Sequence, residues 1–387
     1  MIPKPFTLER FFAKHEFSAR YLLSTSDCQG MLMADLVAGA DEELRARWER
    51  LTLGYTESRG LPELRAEIAA LYESASPDDV LVAAPEEAIF LAMNALLERG
   101  DHVVCTFPGY QSLYEVARSI GCEVSLWRPP EAEAWRFDPA ELEALLRPNT
   151  KLVVWNFPHN PTGALPSQAD YERMIAAAAA AGAWVFSDEM YRLLEPTDEA
   201  RLPAAIDRYE RAVSLSGMSK AFGLAGLRIG WVATHDQRLL ERVEALKDYT
   251  TICSSAPSEL LALMGLRSRG TILATNRERV RRNQDAAGAI FAHHASTLAW
   301  IPPQGGTVCF PRLASSAAQA GDATRTGGAA DGGAEAFCAQ VLRDTGVLLL
   351  PSTVYDYGDS HFRLGLGRDD FETGLKVLDD YLTAQAL

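Results

Sequence analysis

A single lysine, Lys220, stands in the stretch SLSGMSKAFGLAGLRIGW, among serines and glycines and eight residues before Arg228. An amine and a guanidinium at that spacing can hold two ends of one small anionic molecule. The amine can also add to a carbonyl. Two other stretches carry polar groups directly after apolar runs. KLVVWNFPHNPTG presents Asn160 between His159 and Pro161, and AWVFSDEMY presents Asp188 and Tyr191. Taken singly, each has an ordinary use: an Asn before Pro forms turns, an Asp after a strand caps the next helix, and a lysine is a solvated charge. Together, an acid, an amide, a phenol and a lysine have the composition of a site for a pyridine cofactor bearing an aldehyde, a phenol oxygen and a phosphate.

Such groups must be positioned by regular elements. The runs DHVVCTFP, KLVVWNFP, AWVFSDEMY and RIGWVAT are almost continuously apolar, as strands covered on both faces are. Between them lie helical patterns. LPELRAEIAALY opens on Pro62 and places Leu64, Ile68 and Leu71 on one stripe, and PSQADYERMIAAAAAAG ends at Gly182. The alternation predicts an α/β fold: a mostly parallel central sheet sandwiched by helices, with ligands gathered at the carboxyl ends of the strands. Past residue 270 a long charged helix precedes WIPPQGGTVCFPRL, GVLLLPS, HFRLGLG and a last helix, which read as a smaller α+β unit. The expected organisation is an N-terminal segment, 1–35, joined to the small domain, then a large domain, 36–270, and a small C-terminal domain, 271–387. The stretch from Ala314 to Ala334 holds no large apolar residue and reads as a mobile insertion.

Composition limits the functions. The chain has 387 residues, enough for one large domain and a smaller one, and a formal net charge of -15, which repels nucleic-acid phosphates and anionic lipids. The six cysteines are scattered without metal-ligand or disulfide spacing and read as reduced thiols. The start, MIPKPFTLERFFAKHEF, mixes charges with apolar residues, and no run reaches the length of a membrane span, so a cytoplasmic protein is expected. No HExxH occurs, His293 and His294 read as exposed at a helix end, and no metal site is expected. The first strand-to-helix turn lacks the GxGxxG of a dinucleotide site.

The motifs NFPHNPTG, SDEMY and SxxxSKAFGLAGLRIGW, in that order, resemble the core of the class I/II aminotransferases, fold type I enzymes that use pyridoxal 5'-phosphate (PLP). The likeness runs from YTESRGLPELR to HFRLGLG. It implies that Lys220 holds PLP as a Schiff base and moves protons at the substrate Cα, and that Asp188 pairs with the pyridine nitrogen. It further implies that Asn160 and Tyr191 hydrogen-bond the phenolic oxygen, that Tyr110 stacks on the ring, and that Ser219 and Arg228 bind the phosphate. Gly223 and Gly226 would let the backbone turn tightly between Lys220 and Arg228. Arg363 in HFRLGLG would clamp the substrate α-carboxylate, whereas Arg368 reads as a surface charge at a helix start. A homodimer is implied, with Tyr55 reaching the phosphate of the other subunit.

Two stretches depart from the family pattern. The turn expected to cradle the phosphate contains Pro85, which has no N–H, so cradling falls to the amides of Glu86 and Glu87, with both side chains turned away. Where relatives carry a Gly-x-Pro strand over the substrate, this chain has RYLLSTSDCQGMLM. Ser26 and Asp27 there suit an amine or guanidinium on the substrate, although an S-x-S-D run is also a cap for a following helix, MADLVAGA. The expected reaction is transfer of an amino group between an amino acid and a 2-oxo acid. The same cofactor chemistry also serves elimination or cyclisation of an arginine-like amino acid. A PLP-binding sensor is the alternative of another class, but known regulators of that kind carry a DNA-binding domain for which the N-terminal stretch is too short.

Overall fold

The apolar runs become the strands of one seven-stranded sheet in the computed structural model, which describes residues 3–314 and 332–385. After a short strand β1 (Tyr21–Leu22) come β2 (Val80–Ala83), β3 (His102–Thr106), β4 (Glu123–Trp127), β5 (Thr150–Asn156), β6 (Trp184–Asp188), β7 (Ala212–Gly217) and β8 (Gly230–Ala233). Their order in the sheet is β2-β8-β7-β6-β5-β3-β4. Neighbours from β7 to β4 are parallel, and β8 runs antiparallel to both β7 and β2. Every residue of β2, β3, β6 and β8 is buried, as strands covered on both faces must be. Helices Pro85–Leu96, Ser112–Ile120 and Gln237–Lys247 pack in one core layer, and Gln168–Ala180 packs in another.

Local chemistry sets the helix ends. Ser167 Oγ accepts from Asp170 N at the start of Gln168–Ala180, and Gly182, just past its end, has φ +67°. Pro62 opens the helix Pro62–Ala69, which buries Leu64 and Ile68. The helix Met33–Ala38 is capped at Leu32 without any side-chain hydrogen bond, so the S-x-S-D run is not its cap.

The later part of the chain opens with the helix Arg269–His293. It continues through β9 (Leu298–Ala299), β10 (Val308–Cys309), β11 (Arg312–Leu313), β12 (Val347–Leu348), β13 (Leu350–Pro351) and β14 (Phe362–Gly365), with helices Ala334–Thr345 and Phe371–Gln385. A three-stranded antiparallel sheet has the order β10-β14-β13, β9 pairs with β11, and β1 pairs in parallel with β12. Of the Ala- and Gly-rich stretch 314–334, residues 315–331 lie outside the described residues.

The stretch 23–29 runs alongside 365–367. Gly365 N donates to Leu23 O and Gln29 N to Gly367 O, both at 2.7 Å, while Thr307 Oγ1 donates to Ser26 O at 2.6 Å. A Cβ on Gly365 would stand 1.6 Å from Thr25 O, so only glycine permits this approach. Ahead of this stretch, the helix Thr7–His15 is tied to Gln111, whose Oε1 accepts from Thr7 N and whose Nε2 donates to Pro5 O.

Candidate active site

The carboxyl ends of β5, β6 and β7 open into a cavity of about 360 Å³. Its lining includes Lys220, Asp188, Asn160, Tyr191, Tyr110, Ser219, Arg228, Glu86, Arg363, Ser26 and Asp27, residues drawn from both halves of the chain. Two further expected members do not line it with their side chains: Glu87 is expected to give its amide alone to the site, and Tyr55 to serve the partner's site. Glu87 turns away, its Oε1 accepting from Thr251 Oγ1 at 2.8 Å, and Tyr55 is 91 % exposed on the surface.

At the floor, Asp188 ends β6 and is buried; Met190 N donates to its Oδ1 at 3.1 Å. Burial pushes its carboxyl up to about 7, so a cation brought beside it would be neutralised with little competition from water. Lys220 follows β7, and its Nζ donates to Ser26 Oγ at 2.9 Å. Burial lowers its pKa, with Asp27 opposing and Arg363 adding to the shift, and the net direction favours the neutral, nucleophilic amine. Asn160 N donates to Asn156 Oδ1 at 2.8 Å, which fixes the loop after β5. The Asn160 Oδ1 accepts from Arg363 Nη1 and from Tyr355 OH, both at 3.2 Å.

Arg363, on β14, is only 1 % exposed. Its Nε and Nη2 donate to Ser24 O, and its Nη1 donates to Tyr355 OH at 2.7 Å as well as to Asn160. All these acceptors are neutral. A buried guanidinium with no carboxylate partner among the described residues is ready for an incoming anion.

Groups able to donate to an anion also line the cavity. Ser219 is buried and Arg228 exposed, and the helix Pro85–Leu96 begins there with the amides of Glu86 and Glu87 in its first turn. The backbone does turn tightly here: Gly223 takes the left-handed conformation, at φ +66°, and Gly226 lies within the single 3-10 turn Ala225–Leu227. Arg228, which follows that turn, is left-handed at φ +55°. The Glu86 side chain does not turn away: it lines the cavity and accepts from Ser112 Oγ at 3.1 Å. The first turn of the helix, packed against the Tyr110 segment, leaves it facing inward.

Several lining residues escaped the sequence reading. Leu8, Glu9, Phe12 and Glu16 come from the N-terminal helix and its end, and Glu9 Oε1 accepts from Tyr110 OH at 3.1 Å. The available signal was the spacing of Leu8, Phe12 and Glu16 on one helical face. Arg368 is not a surface charge. Its Nη2 stands 3.1 Å from both oxygens of Asp27 and its Nε donates to Thr25 Oγ1, because the close 365–367 approach brings it against the 23–29 stretch. Likewise His294 is buried, 2.7 Å from Asp379, and with His293 the three bring ligand-type atoms within 4.8 Å of one another.

A lysine amine, a buried carboxyl and a helix N-terminus at the ends of parallel strands define an α/β site of the PLP-dependent class. The chain belongs to the family of class I and II aminotransferases, whose model matches residues 21–373. It is 27 % identical to capreomycidine synthase of Streptomyces vinaceus over 98 % of this chain and 94 % of that one. Among solved structures, a PLP-dependent aminotransferase from Streptococcus suis superposes with a TM-score of 0.89 at 29 % identity, covering 99 % of each chain. The PLP-dependent cyclase OrfR does so with 0.87 at 29 % identity, covering all of this chain and 98 % of that one. The fold is that of the PLP-dependent aminotransferases and the cofactor is PLP.

The residues present fit that cofactor. Asp188 could offer a buried carboxyl to a protonated pyridine nitrogen, Lys220 an amine to the aldehyde, and the Ser219, Arg228 and helix N-terminus group a set of donors to the phosphate. When bound, PLP supplies an electron sink that acidifies the substrate Cα. No helix among the described residues is long and apolar enough to cross a membrane.

Proposed function

We propose that the protein is an aminotransferase that moves an amino group between an amino acid and a 2-oxo acid. The observation that carries the reading is Arg363: a buried guanidinium held only by neutral acceptors and lining the same cavity as the Lys220 amine. It would seat the α-carboxylate. Lys220 would then remove the Cα proton and return it on the other side of the reaction, its lowered pKa keeping it basic yet unprotonated. Asp188 would keep the pyridine nitrogen charged, Tyr191 and the Asn160 amide would hold the phenolic oxygen, and Tyr110 would cover the ring. Ser219, Arg228 and the first-turn amides of Glu86 and Glu87 would take the phosphate.

The same reading divides the chain at about residues 35 and 270 and makes it a cytoplasmic homodimer with Tyr55 crossing to the partner's site. Exposed Leu53, Tyr55, Tyr249 and Ile252 support an apolar subunit contact. The visible spectrum of the purified holoenzyme tests the reaction. A single amino acid should convert the yellow lysine-bound cofactor to its colourless amine form, and a 2-oxo acid should restore it. A second reading, elimination or cyclisation of an arginine-like amino acid, is supported by the full-length likeness to capreomycidine synthase and to OrfR. It requires release of a modified product with no lasting amine form.

A further inference from the structure

The charges lining the cavity do not balance once each proposed partner is counted. The bases are Lys220, Arg228 and Arg363; the acids are Glu9, Glu16, Asp27, Glu86 and Asp188. If the cofactor takes Lys220, Arg228 and Asp188, and the substrate carboxylate takes Arg363, four acids are left. Asp27 is neutralised within the chain by Arg368, at 3.1 Å from both oxygens. Glu86 stands at the phosphate end, hydrogen-bonded to Ser112 and pushed up to about 7 by burial. The pair left without a direct ion pair among the described residues is Glu9 and Glu16, although the Arg368 and Lys220 charges also act on Glu16 from nearby.

Both belong to the N-terminal helix and its end, and Phe12 lies between them on the same cavity-lining face. The Phe12 ring lies 5.7 Å from the Arg363 guanidinium. A substrate anchored by its carboxylate at Arg363 therefore lies against this helix face. Glu9 is held by Tyr110 OH, whereas no hydrogen bond or ion pair engages the Glu16 carboxyl among the described residues.

We infer that the amino-acid substrate carries a cationic group, an amine or guanidine, at the far end of its side chain, and that Glu16, assisted by Glu9, is the specificity-determining residue that reads it. The inference rests on the proposed function for its placing of the cofactor and the α-carboxylate. Burial first and Asp27 second raise the Glu16 pKa, with Glu9 adding and with Arg368 and Lys220 opposing, and the net cost is one that an arriving cation relieves and a second anion deepens. The site thus selects against aspartate- or glutamate-like side chains by repulsion as well as for basic ones by attraction. It also moves the expected cation reader from Asp27, already occupied, to a helix one segment earlier.

The test is a spectral titration of the holoenzyme with L-lysine, L-ornithine, L-arginine, L-norleucine and L-glutamate, following the cofactor absorbance to obtain a dissociation constant for each. The best basic amino acid should bind about tenfold or more tighter than norleucine, with glutamate weakest. Glu16→Gln should remove most of that gap while leaving norleucine unchanged, and Glu9→Gln should remove less. Norleucine or glutamate binding as tightly as every basic amino acid overturns the inference, as does an equal loss for all ligands in Glu16→Gln. A cofactor spectrum that answers to none of the amino acids overturns the aminotransferase reading itself, and the inference with it.

Discussion

The floor and the wall of the cavity are built on different terms. The floor is made of Asp188, Asn160, Lys220 and Arg363, set by strand ends and β14 and mostly buried, with Asn160 and Arg363 in one hydrogen-bonded group. The wall is made of Glu9, Phe12 and Glu16, half-buried on a nine-residue helix and the residue just past its end, tied to the body by Gln111 and Tyr110. Positions at the ends of buried strands cannot shift without disturbing the sheet, whereas a short peripheral helix can change its side chains at small cost. Chemistry common to many substrates belongs on the first kind of element, and the choice of one substrate belongs on the second.

The sharpest test of that contrast is Lys220→Ala. With its amine gone, turnover should fall by about a thousandfold or more, while PLP still binds noncovalently to Asp188 and the phosphate donors. Stopped-flow single turnovers and equilibrium dialysis read the two separately. Undiminished activity would remove Lys220 from the mechanism. Next in size, Arg363→Gln should lower kcat/KM by about a hundredfold, because the α-carboxylate would meet an uncharged amide in a dry site. The holoenzyme spectrum should be unchanged before substrate is added. An effect on PLP affinity as large as that on kcat/KM would mean that Arg363 serves the cofactor instead.

Gly365→Ala crosses from floor to wall. The new methyl would meet Thr25 O, so the 23–29 stretch must move, taking Ser26 and the Asp27–Arg368 pair with it. Substrate binding should weaken by about tenfold or more and the melting temperature should fall, with cofactor binding retained, since Asp188 ends β6 and Ser219 follows β7. Titration of the variant with PLP and with substrate separates the two. Equal loss of both would show that the 23–29 stretch supports the floor as much as the wall.

The two regions also differed in how far the sequence disclosed them. Asp188, Asn160 and Lys220 announce themselves because parallel strands end in short loops, so sequence order maps directly onto place in the sheet. Arg363 lies on β14, far along the chain, and its role emerges from the motif HFRLGLG and not from any local period. The wall depends on contacts across hundreds of residues that no period encodes. Arg368 meets Asp27 only because Gly365 and Gly367 let two stretches touch, so an arginine followed by two aspartates looked like a surface charge. Glu86 was expected to point outward because a carboxylate beside a phosphate is unfavourable, and the inward position is tolerated because its carboxyl holds a proton up to about 7.

That proton gives the smallest effect, and one that bears on the boundary between floor and wall. Burial is the largest cause of the raised Glu86 pKa, with the Ser112 hydrogen bond opposing it and Glu9 adding to it. Below about pH 7 the side chain is neutral beside the phosphate donors; as pH rises through 7 it ionises and repels the incoming dianion. Binding of pyridoxamine 5'-phosphate, which forms no bond to Lys220, should therefore weaken by about fivefold more between pH 6 and 8.5 in the wild type than in Glu86→Gln. The cofactor-free protein should show the same proton in its stability. Asp188 and Glu86 are both raised to about 7, so between the ordinary carboxyl range and pH 7 the folded chain binds more protons than the unfolded one, and stability falls as pH rises across that window. Glu86→Gln should flatten part of that slope in urea titrations at pH 5 and 7. An unchanged slope together with an unchanged affinity profile would place the Glu86 carboxyl out of reach of the phosphate, and the donors there would act without it.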